Sequence, residues 1–140
     1  RWDVSPDGKC YTFILRDDVY FHKNELFATP DSTRTVKAHD FLYSFNRIID
    51  PDVASPGRWV FDEVDHFQAI DDTTFVIYLK QPFSPFLSLL GMAYCSVVPQ
   101  EVVEHYSTDF RQHPCGTGPF RFQLWKESVK LVMRRNELYF

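Results

Sequence analysis

The apolar pattern between residues 38 and 49 most constrains what this chain can fold into. Apolar side chains recur there at three- or four-residue spacing, which places them on one face of an α-helix. They are Ala38, Phe41, Leu42, Phe45, Ile48 and Ile49. Asp50 and Pro51 end the pattern, because the residue before a proline is disfavoured in helical geometry. We therefore expect a helix from Ala38 to Ile49, with Thr35 preferred as its N-cap.

Two β-hairpins are predicted by alternating apolar and polar residues on either side of short turns. The first runs from His66 to Lys80 around the turn Asp71–Thr73. The second runs from Phe120 to Arg134 around the turn Lys126–Ser128. Both hairpins have antiparallel strands.

The remaining segments predict short elements joined by loops. A strand from Tyr11 to Arg16 follows a cluster of turn residues, and Val19–His22 suggests a second short strand. Lys23–Thr35 reads as a long loop, while Ser84–Pro85 and Pro99 can each open a short helix. About six strands and three helices without regular strand–helix–strand crossovers predict an α+β fold. We expect antiparallel β-hairpins packed on the amphipathic helix.

Composition indicates a globular chain and argues against nucleic acid as a partner. The 140 residues suit about one domain, and 44% of them are hydrophobic. The formal net charge of −4 is mild, with acids and bases mixed along the chain. No apolar run approaches the roughly 18 residues that span a bilayer.

Motifs for cofactor or metal binding are weak. Gly116–Gly118 lacks the Gly-Lys-Ser/Thr ending of a phosphate loop and the third glycine of a dinucleotide loop. A strand follows it rather than a helix, so we predict a structural turn. The five histidines never fall at zinc-binding spacing. No cofactor and no metal are predicted, and the pair Asp71–Asp72 suits a hairpin turn better than acid–base catalysis.

The cysteines leave one enzymatic alternative open. Cys10, Cys95 and Cys115 form no CxxC pair and allow at most one disulfide. Cys10 and Cys95 fit buried apolar positions. Cys115 lies two residues after His113, so a hydrolase with Cys115 as its nucleophile is a rival to a packed structural thiol.

A set of motifs extends in order over nearly the whole chain. They are Trp2, Ser5, Asp7–Lys9, Tyr11–Phe13, Leu15–Arg16, Val19, Phe21–His22, Ala38–Phe41, Tyr43–Phe45, Arg47, Asp50–Pro51, Asp71–Thr73, Val98–Pro99, Gly116–Phe120 and Trp125. In this order and spacing they resemble the peptide/nickel-type extracytoplasmic solute-binding proteins, family 5. These are the binding subunits of ABC importers for oligopeptides, dipeptides, nickel chelates and some sugars. The long loop Lys23–Thr35 departs from the family pattern.

The resemblance implies both an organisation and a function. Family members are several times longer and have three lobes, and this sequence starts without methionine in mid-pattern. We therefore expect residues 1–140 to be a single α+β lobe, a fragment of a larger three-lobed protein that resembles the small inserted lobe of a periplasmic peptide-binding protein. The implied function is non-enzymatic capture of a peptide or similar small solute and its delivery to ABC permease subunits by closure of the lobes. A sugar or a nickel chelate is the alternative solute.

The resemblance also implies a location and a set of residues near the ligand. The protein would work in the periplasm or at the outer face of the cytoplasmic membrane, with any lipid anchor decided outside these residues. Most ligand contacts would come from the remaining lobes. Within residues 1–140, those nearest the cleft would be Tyr94, Cys95, Gly116, Thr117 and Gly118, because the family's loops there face the domain junction. We expect the 140-residue chain alone to bind peptide weakly or not at all.

Overall fold

The computed structural model describes residues 1–140 and divides them into two compact units. Unit 1 comprises Arg1–Arg16 and Lys37–Val97, and unit 2 comprises Asp17–Val36 and Val98–Phe140. Each unit is thus built from two separate segments of the chain. None of the helices combines the length and the hydropathy that crossing a membrane requires. That residues 1–140 form one lobe of a longer protein stays a prediction.

The predicted α+β class is confirmed by six strands and three α-helices. The strands are β1 (Trp2–Val4), β2 (Cys10–Ile14), β3 (Val64–Ala69), β4 (Thr74–Leu79), β5 (Phe120–Lys126) and β6 (Lys130–Arg135). The α-helices are α1 (Ala38–Ile49), α2 (Phe86–Leu90) and α3 (Gln100–Tyr106). Short 3-10 helices lie at Pro51–Val53, Arg58–Phe61, Ala93–Cys95 and Ser107–Gln112.

Unit 1 is an antiparallel sheet in the order β1-β2-β4-β3, with α1 packed against β3 and β4. The predicted apolar face of α1 supplies the centre of the core. The ring centroid of Phe45 lies 4.8, 5.5 and 5.6 Å from those of Phe61, Phe67 and Phe75. Burying each such ring stabilises the fold by about 1.5–3 kcal/mol. The first predicted hairpin, β3–β4, therefore packs on the helix as expected.

The predicted N-cap of α1 at Thr35 is wrong. The helix begins at Ala38, and Lys37 occupies the cap position. A lysine side chain cannot accept the hydrogen bonds of the first helical turn. Instead, the backbone N–H of Lys37 donates to Asp40 Oδ2 at 2.8 Å, which is the carboxylate half of a capping box. The carboxylate also lies in the first turn, where a negative charge is favoured by the helix dipole.

Two other expectations about strands are corrected. Val19–His22 forms no strand, since only an isolated bridge joins Tyr20 to Thr35. β1 was not expected, and it pairs antiparallel with β2 so that Trp2 faces Phe13. A three-residue strand shows too little alternation to be recognised in a sequence.

Unit 2 contains α3, the hairpin β5–β6 and the segment 17–36. The long loop predicted in that segment is ordered around Arg34. Its guanidinium lies 5.0 Å from the ring centroid of Phe21 and 5.4 Å from that of Phe27. Nε and Nη2 of Arg34 also donate to the two carboxylate oxygens of Glu101 in α3, at 2.7 and 2.8 Å. This bidentate, stacked arginine fixes the loop against α3.

Candidate functional site

The loop Gly116–Gly118 of unit 2 is held by hydrogen bonds to His22. The backbone N–H of His22 donates to the carbonyl of Gly116 at 2.7 Å. The backbone N–H of Gly116 lies 3.4 Å from His22 Nδ1, and His22 Nε2 lies 2.9 Å from the carbonyl oxygen of Gly118. Since Nδ1 accepts, the ring proton lies on Nε2, which donates to Gly118. Asn136 Nδ2 donates to the same carbonyl at 3.0 Å.

Two backbone donors of this loop are unused. The N–H groups of Thr117 and Gly118 have no hydrogen-bond acceptor in the chain, and both residues are half-buried. A methyl group added at Gly116 or Gly118 would meet no atom within 4 Å. Neither glycine has a positive φ, so the turn itself does not require them. Their missing side chains leave the backbone N–H groups open to an incoming carbonyl or carboxylate oxygen.

A small polar cavity of about 120 Å³ adjoins the loop within unit 2. Its lining residues are His22, Lys23, Asn24, Tyr106, His113, Pro114, Cys115, Arg121 and Phe122. Lys23 and Arg121 bring two positive charges, and no carboxylate lines the cavity. Pockets for whole small-molecule ligands usually measure about 300–1,000 Å³. This cavity therefore suits one small anionic group rather than a complete solute.

Cys115 directly precedes the same loop and has the properties of a structural thiol. Its side chain is buried and its Sγ lies 3.5 Å from the carbonyl oxygen of His22. Burial raises the pKa of the Cys115 thiol to about 12, although the nearby Arg34 cation opposes the rise. The ring of His113 is stacked on Tyr106, with centroids 3.8 Å apart. A protonated thiol is not a nucleophile, so the hydrolase alternative is not favoured.

The other two predicted site residues, Tyr94 and Cys95, lie in unit 1. Both belong to the 3-10 helix Ala93–Cys95, where Tyr94 is exposed and Cys95 is buried. The Cys95 thiol donates to the carbonyl of Leu89 at 3.6 Å, and burial raises its pKa to about 11. That these two residues and Gly116–Gly118 line one cleft stays a prediction.

The sequence analysis did not identify the residues that contact the predicted site residues and hold them in place. Gly57 packs so closely on Tyr94 that a Cβ there would lie 2.6 Å from Tyr94 Cβ. His22 was part of a family motif but had no assigned role, and Asn136 was not noticed. The only signal for Gly57 was its place in a Pro-Gly loop. Nothing in the sequence links His22 to a glycine that follows it by 96 residues.

The sequence profile of the bacterial extracellular solute-binding proteins, family 5 (middle), matches residues 1–140. The chain belongs to this family. The resemblance inferred from the motifs is therefore confirmed. Members of the family are substrate-binding proteins rather than enzymes, and they are extracellular.

Individual relatives of this family-5 chain bind different solutes. The chain is 31% identical over 154 residues to di/tripeptide-binding protein 2 of Pseudomonas aeruginosa, covering 99% of this chain and 28% of that protein. Helicobacter pylori DppA, solved with the peptide STSA, is 32% identical with a TM-score of 0.83, over 99% of this chain and 30% of its own. Campylobacter jejuni NikZ, solved with Ni(L-His), is 27% identical with a TM-score of 0.84, over 100% of this chain and 27% of its own. The chain thus spans less than a third of each relative.

Proposed function

We propose that this chain is part of the substrate-binding component of an ABC importer, which captures a peptide or similar small solute and delivers it to permease subunits. The observation that carries the proposal is the family match over all 140 residues. Di/tripeptide- and dipeptide-binding proteins among the relatives favour peptides as the solute. The chain itself is not an enzyme in this proposal, and the buried, protonated thiol of Cys115 supports that.

The proposal includes a larger protein that works outside the cytoplasm. Residues 1–140 would form one lobe of a three-lobed polypeptide. That polypeptide would work in the periplasm or at the outer face of the cytoplasmic membrane, either free or held to the membrane by a lipid anchor. The chain covers only 28% of the length of the matched di/tripeptide-binding protein, which supports this organisation. Solute would be held between lobes, because contacts made only in the closed state drive closure.

Tyr94, Cys95, Gly116, Thr117 and Gly118 are the proposed residues nearest the solute. The support is strongest for the loop Gly116–Gly118, whose two unused N–H groups match the carbonyl oxygens of an extended peptide. The neighbouring cations Lys23 and Arg121 would favour a solute that carries a carboxylate. Cys95 is buried, so its contribution would be through the position of Tyr94 rather than through its thiol.

A thermal-shift screen of the longer polypeptide that contains these residues tests the proposal. Dipeptides, tripeptides, sugars and nickel–histidine are each added at saturating concentration. A ligand that binds only the native state stabilises it by about 2.7 kcal/mol at a hundredfold excess over Kd. We expect a rise in Tm with peptides. A rise with only sugar or nickel–histidine would identify the alternative solute, and no rise with any of them would overturn the proposal.

The isolated 140-residue chain is the control in that screen. We expect no shift with any solute, because the opposing lobe that completes the contacts is absent. Micromolar binding of a peptide to this chain, measured by calorimetry, would contradict the assignment of most contacts to other lobes.

A further inference from the structure

The polar cavity beside the loop Gly116–Gly118 is lined by parts of unit 2 that are far apart in the sequence. They are His22–Asn24, Tyr106, His113–Cys115 and Arg121–Phe122. The hydrogen bonds between His22 and the glycine loop hold two of these parts together. The cavity, with a volume of about 120 Å³, is therefore shaped by the fold itself and needs no ligand to form.

The two positive charges of this cavity have no partner in the chain. Neither the half-buried guanidinium of Arg121 nor the ammonium of Lys23 forms a hydrogen bond or an ion pair with another residue. Arg34, the other half-buried arginine of unit 2, is paired with Glu101. No carboxylate lines the cavity. A partly desolvated cation without a counter-charge is unfavourable, so these two side chains favour an anion between them.

Arg121 also faces a like charge across the hairpin β5–β6. It lies directly opposite Arg134, whose Nε donates to Gln123 Oε1 at 2.7 Å. Like charges in directly opposite positions destabilise a pair of strands. An anion bound beside Arg121 would offset this repulsion.

The other polar side chains of the lining have unused donors as well. Asn24 Oδ1 accepts the backbone N–H of Leu26 at 3.0 Å, which leaves the NH₂ group of Asn24 without a partner. The Tyr106 hydroxyl and the His113 imidazole form no hydrogen bond, and their rings are held by stacking, 3.8 Å apart and 3° from parallel. The unused side-chain groups of the lining are therefore donors, or groups that can act as donors.

The number and distribution of these donors indicate the class of anion. A carboxylate would pair its two oxygens with the fork of Arg121 and leave most of the other donors unused. A tetrahedral oxyanion has more oxygens, which donors on several sides can share, with Lys23 acting as a point charge. The cavity is smaller than the roughly 300–1,000 Å³ of pockets for whole ligands, so one small ion suits it.

We propose that the polar cavity is a binding site for one free tetrahedral oxyanion of the phosphate or sulfate class. Lys23 and Arg121 supply the charge, and Asn24, Tyr106 and His113 supply further hydrogen bonds. The bound ion joins the segment 17–36 to β5 and stabilises unit 2 by mass action. This site goes beyond the proposed function, because residues 1–140 contain all of it. The attraction of the same cations for a solute carboxylate is the competing assignment.

Titrations with inorganic phosphate, sulfate and acetate test the site in the 140-residue chain and in the longer polypeptide. Sodium chloride keeps the ionic strength constant, so that screening is the same throughout. Calorimetry gives Kd, and the NMR signals of Arg121 Nε–H and of the Lys23 and Asn24 backbone N–H groups locate the ion. We expect saturable binding of phosphate and sulfate, with acetate about tenfold weaker or more. No saturable phosphate binding to either protein would overturn the site, and acetate binding as tight as phosphate would overturn its tetrahedral class.

Two charge-matched double variants separate this site from general attraction of anions. Lys23→Gln with Arg121→Gln removes two positive charges from the cavity, whereas Lys126→Gln with Lys130→Gln removes two from the turn end of the same hairpin. We expect the first pair to raise the phosphate Kd about tenfold or more and the second pair to change it less than about threefold. Equal increases would overturn the proposal.

Two single variants keep the test decisive if the double variant in the cavity does not fold. Lys23 is exposed, so Lys23→Gln should leave Tm without phosphate unchanged and still weaken phosphate binding several-fold. Tyr106→Phe keeps the ring stacked on His113 and removes only the hydroxyl, so it should also weaken binding at unchanged Tm. Phosphate binding unaffected by both variants would overturn the site.

The relation of this site to solute capture is tested in the longer polypeptide. Phosphate that binds equally well with and without saturating peptide would support a separate ion site. Competition between phosphate and peptide would overturn the free-ion assignment and give the cavity to a group on the solute. Phosphate binding in a polypeptide that shows no thermal shift with any solute would support the site and contradict the proposed function.

Discussion

His22 and Gly118 are joined by a hydrogen bond of 2.9 Å from the imidazole Nε2 to the backbone carbonyl oxygen. The same ring accepts from the N–H of Gly116, so one buried side chain fixes both ends of a three-residue loop. The Gly116 N–H and the carbonyl groups of Gly116 and Gly118 are used, while the N–H groups of Thr117 and Gly118 have no acceptor in the chain. Fixing the loop before a ligand arrives lowers the ordering cost of binding.

Replacing His22 by Ala should destabilise unit 2 and loosen the loop. The change leaves the Gly116 N–H without its ring acceptor and creates a cavity, which together cost about 2–4 kcal/mol. Urea unfolding measures the stability, and hydrogen exchange at Gly116 measures the loop. The matched control is His39→Ala, because His39 is an exposed histidine of α1. Equal losses from the two variants would show that His22 does not fasten the loop.

Gly57→Ala should destabilise unit 1 because the new methyl group collides with Tyr94. A Cβ at Gly57 would lie 2.6 Å from both Cβ and Cγ of Tyr94, and the Tyr94 Cβ cannot move without shifting the backbone. Overpacking of this kind costs about 1–3 kcal/mol. The double variant with Tyr94→Gly, which removes both the Cβ and the Cγ of residue 94, should show a favourable coupling that offsets most of the clash, as a double-mutant cycle from thermal unfolding would reveal. Gly91→Ala, whose Cβ would lie 3.4 Å from the nearest atom, is the control and should change stability little.

Gly118→Ala should separate folding from solute binding. Its methyl group would meet no protein atom within 4 Å, so the free energy of unfolding should change by less than about 0.5 kcal/mol. The same methyl group would obstruct access to the Thr117 and Gly118 N–H groups. If the proposed function holds, we expect the peptide affinity of the proposed longer polypeptide to fall about tenfold, equivalent to about 1.4 kcal/mol. Unchanged affinity by calorimetry would remove Gly118 from the proposed site.

Cys115 should make the fold less stable in alkaline solution. Its folded pKa of about 12 exceeds the ordinary value of 9.0 because the thiol is buried. The unfolded chain therefore loses this proton at lower pH than the folded chain, and stability falls as pH rises from about 9 toward 12. Urea midpoints measured across this range should decline less steeply for Cys115→Ala than for the original chain. A parallel decline would contradict the buried-thiol assignment.

The same burial predicts slow alkylation of Cys115. Iodoacetamide reacts with the thiolate, so at pH 8 the native chain should be labelled at Cys115 far more slowly than the urea-unfolded chain. Mass spectrometry locates the label. Cys10, which is less buried, is the internal comparison and should react first. Rapid labelling of native Cys115 would revive the hydrolase alternative.

The pair of Arg34 and Glu101 should make stability sensitive to acid. Hydrogen bonds from Arg34 hold the pKa of the Glu101 carboxyl below its usual range. The contribution is therefore complete above the ordinary pKa of 4.5 and is lost as pH falls through the lowered folded value. Urea unfolding of Glu101→Gln should show a weaker acid dependence than the original chain. Glu104→Gln, in the same helix, is the control and should retain the dependence.

Local periodicity predicted the parts of the fold whose signals lie within one segment. The apolar stripe of α1 and the two hairpins were found because each repeats its pattern several times; α1 has the predicted bounds, and the hairpin strands end within two residues of the predicted positions. β1 was missed because its three residues acquire their structure from pairing with β2. The cap of α1 was misplaced because Asp40, three residues into the helix, provides the hydrogen bond that the residue at the cap position cannot.

The candidate site was only partly predictable for a related reason. The motif Gly116–Gly118 was recognised in the sequence. Its interpretations as a phosphate loop and as a turn were both based on the residues next to it in the chain. The hydrogen bonds that hold this loop come from His22 and Asn136. Both residues are distant from the loop in the sequence, so no local pattern reveals these contacts. Strict alternation from Phe122 would also place Trp125 on the opposite face of β5, and only the paired register shows otherwise.

Because unit 2 consists of two distant segments of the chain, its parts are synthesised at different times. During translation, His22 is added to the chain well before its hydrogen-bond partners, and Gly118 follows it by 96 residues. At roughly 5–20 residues per second, that interval is about 5 to 20 s. During most of this interval the segment 17–36 lacks Glu101, Cys115 and the loop that His22 will fasten, and unit 1 is completed at Val97 before any of them is made. Newly made chains therefore carry an unfinished unit 2 beside a finished unit 1, and a chaperone or protease would encounter that segment first.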